Sequence, residues 1–153
     1  MTLKIVEVSS SHADLAILIK KLDEYLLQKY PTEEIFGVDF SDPNVNDITF
    51  IVAYLNEVPV GCGAIREIDK ESTELKRFFV EQDCRNRGIA HEILMELEHR
   101  AKTLGYTCIK LEAGEPQAEA LSFYRKHGYY QIDRFGEYIA CESSVCYEKK
   151  LNV

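Results

Sequence analysis

The stretch from Thr73 to Glu112 changes its hydrophobic period twice, and that limits the folds open to this chain. TELKRFFV at 73–80 reads as a strand. From Ile89 the apolar residues Ile93, Leu94, Leu97, Ala101 and Leu104 recur on one helical face, and Gly105 stands where such a helix stops. YTCIKLE at 106–112 then reads as a buried strand. A strand–helix–strand unit of this kind crosses over right-handedly and makes its two strands parallel. The spacing therefore predicts a sheet with a parallel pair at its centre.

Around this unit the pattern is mostly antiparallel. Residues 3–8 alternate as a strand, Ser11 with Asp14 resembles a capping box, and Leu15, Leu18, Ile19, Leu22 and Leu26 form a helical stripe. After Tyr30-Pro31 comes a polar, acidic loop or short-helix region to Asp47, with Ile35, Phe36, Val38 and Phe40 as isolated apolar residues. Strands at 48–55 and 58–67 lead into 73–80 with turn-length gaps, as in a meander. Gly61 and Gly63 within this run mark a bulge or a close backbone approach. Pro116 opens a helix ending at Gly128, and strands follow at 129–134 and 144–150. The expected class is α/β: a mixed sheet of about six to seven strands with one central parallel pair, flanked by helices, in a single domain over 1–153.

Composition narrows the function. Eighteen Lys and Arg against 26 Asp and Glu give a formal charge of −8, and such a field repels phosphate backbones. Nucleic acid is not expected as a partner. No apolar run reaches the roughly 18 residues that span a bilayer, and the first residues lack the layout of a secretory signal. The expectation is a cytoplasmic chain with no membrane partner. Five cysteines with no C-x-x-C pair and four scattered histidines predict neither a disulfide framework nor a metal site.

The segment EQDCRNRG at 81–88 carries the chemistry. Arg85 and Arg87 precede a helix N-terminus, where the macrodipole disfavours cations. An anion resolves that conflict, because unpaired N–H groups, a glycine and guanidinium groups make a receptor for phosphate or pyrophosphate. Solvated surface arginines are the alternative. Gly88-Ile89-Ala90 lacks the Lys-Ser/Thr of a Walker loop, the only G-x-G lies inside a strand, and Ala90 stands where a cysteine-phosphatase loop needs arginine.

The pattern Arg85-x-x-Gly88-x-Ala90 after a strand, together with Ala120, Phe123-Tyr124 and Gly128-Tyr129 in a later helix, resembles the GNAT superfamily of acetyl-CoA-dependent N-acetyltransferases. The likeness implies that the parallel strands splay and that the backbone of Phe78, Phe79 and Val80 takes the arm of acetyl-CoA. Arg85, Arg87, Gly88, Ile89, Ala90 and His91 would then surround the pyrophosphate. It also implies Tyr124 as the acid toward the leaving thiolate, with a ring packed into the core as the alternative, and a backbone N–H near Phe79 or Val80 as the oxyanion donor. Glu74 is favoured as base over Glu67 and Glu112, although a surface carboxylate paired with Lys76 explains it as well. Gln82, Asn86, Ala90 and Gln117 depart from the family pattern; Ala90 is an accepted variant, and at Gln117 the contact to the cofactor arm is in question.

The implied partner is a small-molecule or peptide amine, with homodimerisation left open. Glu33, Glu34, Asp39, Asp42, Asp47, Glu67 and Asp69 either attract a cationic amine or form a solvated surface. Tyr30, Phe36, Phe40, Tyr138 and Tyr147 either line a pocket or belong to the core. A CoA-binding module with lapsed catalysis is the competing reading.

Overall fold

A computed structural model describes residues 2–114 and 117–151. Its strands are β1 (Leu3–Val8), β2 (Thr49–Leu55), β3 (Val58–Glu67), β4 (Ser72–Val80), β5 (Cys108–Gly114), β6 (Tyr130–Ile132) and β7 (Ser144–Lys150). The helices are α1 (Ala13–Leu27), α2 (Ile89–Thr103) and α3 (Ala118–Lys126). All strands share one sheet in the order β1-β2-β3-β4-β5-β7-β6. Only β4 and β5 run parallel. The mixed sheet expected from the period changes at 73–112 is the one observed.

Helix α2 covers one face through Ile89, Ile93, Leu94, Leu97 and Ala101, all essentially inaccessible to solvent. Gly61 and Gly63 let it sit low on β3: a Cβ would stand 2.7 Å from Ile93 Cδ1 at Gly61 and 2.7 Å from Leu97 Cδ1 at Gly63. Helix α1 covers the other face with Leu15, Leu18 and Leu22 against Phe50, Val52 and Phe79. Both α2 and α3 stop at left-handed glycines. Tyr106 N–H bonds Ala101 O and Gly105 N–H bonds Lys102 O; Tyr129 N–H bonds Tyr124 O and Gly128 N–H bonds Arg125 O. These are Schellman closures, and the second carries Tyr129 into the core beside Tyr124.

Several expected boundaries move. His12, not Ser11, caps α1, because its Nδ1 accepts the Asp14 N–H at 3.2 Å while the Ser11 hydroxyl pairs with Ser9. The strand expected at 106–112 shifts to 108–114, since the Thr107 and Cys108 N–H groups both bond Glu71 O at its entry. The strand expected at 129–134 shrinks to β6, its first residue having been taken by the helix closure. Pro116 lies outside the described residues, and α3 is capped by Gln117.

The feature that positions the site is a splay. Strands β4 and β5 pair only through Ser72–Cys108, Thr73–Ile109 and Glu74–Lys110, after which they part. A bulge accompanies the divergence: the β3 register jumps between Cys62–Phe79 and Ala64–Lys76, and Arg77 takes φ +52°. Bulges bend and twist the strand that carries them.

Candidate active site

The splay opens a cleft of about 760 Å³, including its solvent-open mouth. Its walls come from the end of α1, the segment after it, β4, β5, α3 and the loop before β7. On β4, the Glu81 N–H bonds Val60 O, so that residue's polar groups face β3. Strand alternation then turns the N–H and C=O of Val80 toward the splay, as does its carbonyl's contact with Arg85 Nε at 3.3 Å. Phe78 shares that phase. Phe79 has the opposite one: its carbonyl lies against Gly61, and its ring packs in the α1 layer. Of the three residues expected to offer backbone to a cofactor arm, Phe78 and Val80 turn theirs toward the splay and Phe79 turns its own toward β3.

The segment 85–91, which leads from β4 into α2, forms a cradle of amides. Asn86 and Gly88 both adopt positive φ, at +64° and +78°. The first helical acceptor bond of α2 is Glu92 N–H to Gly88 O, and Gly88 supplies no side-chain cap. Among the described residues, the N–H groups of 86–91 find no acceptor. A Cβ on Gly88 would meet nothing within 4 Å, so the surface is open at that residue. Arg87 is exposed and unpaired among the described residues, whereas Arg85 folds back on Val80 O and over the Tyr25 ring at 5.4 Å. The Ile89 side chain is buried and Ala90 packs on the core, leaving their amides as their contribution. His91 is exposed, and its Nδ1 meets His127 Nε2 at 2.9 Å.

Tyr124 lies on the cleft wall, 93% shielded from solvent, and its hydroxyl has no partner among the described residues. Burial, reinforced by the charge of Glu112, raises its pKa well above the usual phenol value. The hydroxyl therefore stays protonated. Gln117 also lines the cleft. Its Oε1 accepts the Gly114 N–H and the Tyr30 hydroxyl, each at 3.1 Å, which leaves its amide N–H groups for other partners. Gly114 is required here, because a Cβ would overlap the Tyr30 ring.

Glu74 is placed differently from the expectation. Its buried carboxylate accepts from Arg66 Nη2 at 3.0 Å and from the Tyr138 hydroxyl, and lies 3.8 Å from Lys76 Nζ. It does not line the cleft; Glu112 does. The Ser144 hydroxyl holds Glu112 at 2.6 Å, and burial is the main cause raising its pKa above the usual carboxylate value. Glu74 is near Lys76, as the alternative reading expected, but it is buried rather than at the surface and its hydrogen bonds come from Arg66 and Tyr138; a carboxylate facing the cleft is found one strand away.

Of the acidic residues singled out in the sequence, Glu34 reaches the cleft, and Tyr30, Phe36 and Tyr138 are the aromatics that line it. Phe40 stacks on Phe50 and the Tyr147 hydroxyl takes Arg125 Nη1, so both serve packing. Sequence reasoning missed Arg77, Ser143 and Ser144 as contributors. No local pattern marks them, since their roles come from the bulge and from contacts across 109 positions between Glu34 and Ser143 and 32 between Glu112 and Ser144. Among the described residues, no helix is long and apolar enough to cross a membrane.

Known proteins share this architecture. Residues 16–129 match the family model described as Acetyltransferase (GNAT) family. An IAA acetyltransferase of Azospirillum brasilense is 38% identical, covering 88% of either chain. The uncharacterized N-acetyltransferase YsnE of Bacillus subtilis is 28% identical over 79% of this chain and 82% of that protein. Among solved structures, an acyl-CoA N-acyltransferase from Klebsiella pneumoniae superposes with a TM-score of 0.83 at 24% identity, covering 99% of both chains. A GNAT acetyltransferase from Elizabethkingia anophelis, solved with acetyl-CoA bound, gives 0.70 at 18%, covering 97% of this chain and 98% of that one. A splayed parallel pair, followed by a run of unpaired amides at the start of α2, has its explanation in this kinship: the chain belongs to the GNAT family of acetyltransferases.

Proposed function

We propose that this acetyltransferase moves the acetyl group of acetyl-CoA to a primary amine held in the cleft between β4 and β5. The observation that carries the reading is the run of unpartnered amides at 86–91, with the surface open at Gly88. Such a concave set of donors fits pyrophosphate oxygens, and exposed Arg87 adds a guanidinium. The free edge of β4 at Phe78 and Val80 suits an amide-bearing arm, which it would pair as it would a strand. Arg85 gives up the Val80 carbonyl when that edge is filled.

When bound, acetyl-CoA supplies an activated acetyl group: a neutral amine forms the C–N bond, the C–S bond breaks and a thiolate leaves. Glu112 takes the ammonium proton, its raised pKa bringing its basicity closer to that task. The Val80 N–H faces the splay and serves as the oxyanion donor. The Tyr124 hydroxyl gives its proton to the departing sulfur and is restored by the proton the nitrogen sheds. Glu74 acts behind this surface, fixing Tyr138 and Lys76.

Thermal melting with and without acetyl-CoA tests the cradle. At 100 times Kd, binding should stabilise the chain by about 2.7 kcal/mol. Gly88→Glu should fold and lose that shift, because its carboxylate enters the anion site. Gly105→Glu is the control, being equally left-handed and open but at the far end of α2. Absence of a shift in the natural chain, or its survival in Gly88→Glu, would refute the reading. Thiol release over a panel of amines, with IAA included because the Azospirillum relative is named for it, then identifies the acceptor class.

A further inference from the structure

The charges that line the cleft do not cancel, and the remainder describes the acceptor. Lys76 and Arg77 are the cations on its wall, beside the carboxylates of Glu34 and Glu112. Each cation has a counter-charge, although the buried Nε–H of Arg77 finds no partner among the described residues. Lys76 Nζ donates to Phe36 O at 3.2 Å and the Tyr138 hydroxyl at 2.9 Å, with Glu74 3.8 Å away. Arg77 Nη2 pairs with Asp23. Behind them, Arg66 spans Glu74 and Glu137 at 3.0 and 3.4 Å. Neither Glu34 nor Glu112 has an ion pair among the described residues; each is held by a serine hydroxyl instead, Glu34 by Ser143 and Glu112 by Ser144.

These serines are neighbours in the chain, and the two carboxylates they hold both line the cleft. The unpartnered hydroxyl of Tyr124, nine-tenths buried, faces the same space. A hydroxyl oriented without a partner, next to carboxylates lacking cations, marks a place where a ligand completes the site. One ammonium satisfies Glu112, the proposed base. Glu34 remains unmatched.

We infer that the acceptor is a short diamine, or an amine of similar reach carrying a second cationic group, and that Glu34 receives the second charge. The inference rests on the transfer reading above. It makes Glu34 a specificity-determining residue built from the segment after α1, which Ser143 orients from the loop before β7. A zwitterionic acceptor would place its carboxylate beside cations whose charge Glu74 and Asp23 already balance, and the comparison with 4-aminobutanoate tests whether the unpartnered Nε–H of Arg77 draws it there.

Thiol release from acetyl-CoA with 1,4-diaminobutane, n-butylamine and 4-aminobutanoate separates the end groups on one carbon scaffold. The diamine should exceed n-butylamine at least tenfold in kcat/KM, and 4-aminobutanoate should be the poorest. Glu34→Gln should reduce the diamine's advantage below threefold while keeping the acetyl-CoA melting shift, and Ser143→Ala should reduce it partly. Equal rates for diamine and monoamine, a preference for 4-aminobutanoate, or an advantage that survives Glu34→Gln would overturn the inference. So would an acetyl-CoA shift with none of these amines acetylated. A chain with no acetyl-CoA shift fails earlier, at the transfer reading itself.

Discussion

Replacing Tyr124 with phenylalanine separates chemistry from stability more cleanly than any other change in this cleft. The ring packs against Phe78, Phe123 and Tyr129 with centroids 6.2, 5.6 and 5.8 Å away, and phenylalanine keeps all of that contact. The hydroxyl has no partner among the described residues, so removing it breaks no protein hydrogen bond. The fold should change by less than about 0.5 kcal/mol. The rate should change far more, since a positioned acid contributes roughly 10²–10⁴-fold, or about 2.7–5.4 kcal/mol of barrier. Tyr129→Phe is the mirror image. Its hydroxyl donates to buried Glu98 at 2.9 Å, so its loss should cost about 1–3 kcal/mol of stability and leave turnover intact. Urea unfolding and steady-state thiol release, measured on both variants with the acetyl-CoA melting shift as a binding control, give the result. Turnover of Tyr124→Phe within threefold of the natural chain, or a loss traceable to weaker acetyl-CoA binding, would refute the role of this hydroxyl.

Further perturbations test other parts of the same architecture. Glu112→Gln should lower kcat by about 10² or more if this carboxylate is the base, and in the natural chain the acid limb of kcat/KM should lie above the ordinary carboxylate range. The folded-state pKa of Glu112 is raised, so its contribution to stability is present at low pH and lost as pH rises through the raised value. Melting curves should therefore show Glu112→Gln gaining on the natural chain from acid to neutral pH, and parallel curves would contradict the assignment. Glu74→Gln should destabilise by about 3–5 kcal/mol in urea, because it strips a buried ion network of its central charge; a cost below 1 kcal/mol would show that the network is slack. Gly61→Ala should cost about 1–3 kcal/mol by forcing a Cβ between Ile93 and the Phe79 carbonyl, and an unchanged urea midpoint would mean that α2 yields there.

The parallel pair was legible because its cause is local: one period change after β4, another before β5, and a rule of handedness. The close approach marked by Gly61 and Gly63 was legible for a similar reason, since their missing side chains are visible in the letters whatever faces them. Boundaries were less so. Glu71 sets the entry of β5 by accepting the Thr107 and Cys108 amides, a bond across 36 and 37 positions that no window around 107 contains. His12 displaced Ser11 as the cap of α1 because an imidazole nitrogen can accept the same amide that a hydroxyl would.

The site divides along the same line. The anion cradle proposed for it lies within 85–91 and follows from consecutive backbone dihedrals, so a short stretch of sequence displays it. Its acceptor wall is assembled from Glu34, Lys76, Glu112, Tyr138 and Ser143, which share no local pattern and meet only because the sheet splays. Glu74 shows the difficulty most plainly. It lies on β4 close to where the strands part, and a bulge only a few residues on controls which side chains reach the opening. Its register partner Lys110 marks the last paired position, so Glu74 stands at the vertex of the splay and Glu112 two residues inside it on the facing strand. A base for this cleft must come from beyond the vertex, and the sequence alone does not mark where pairing ends.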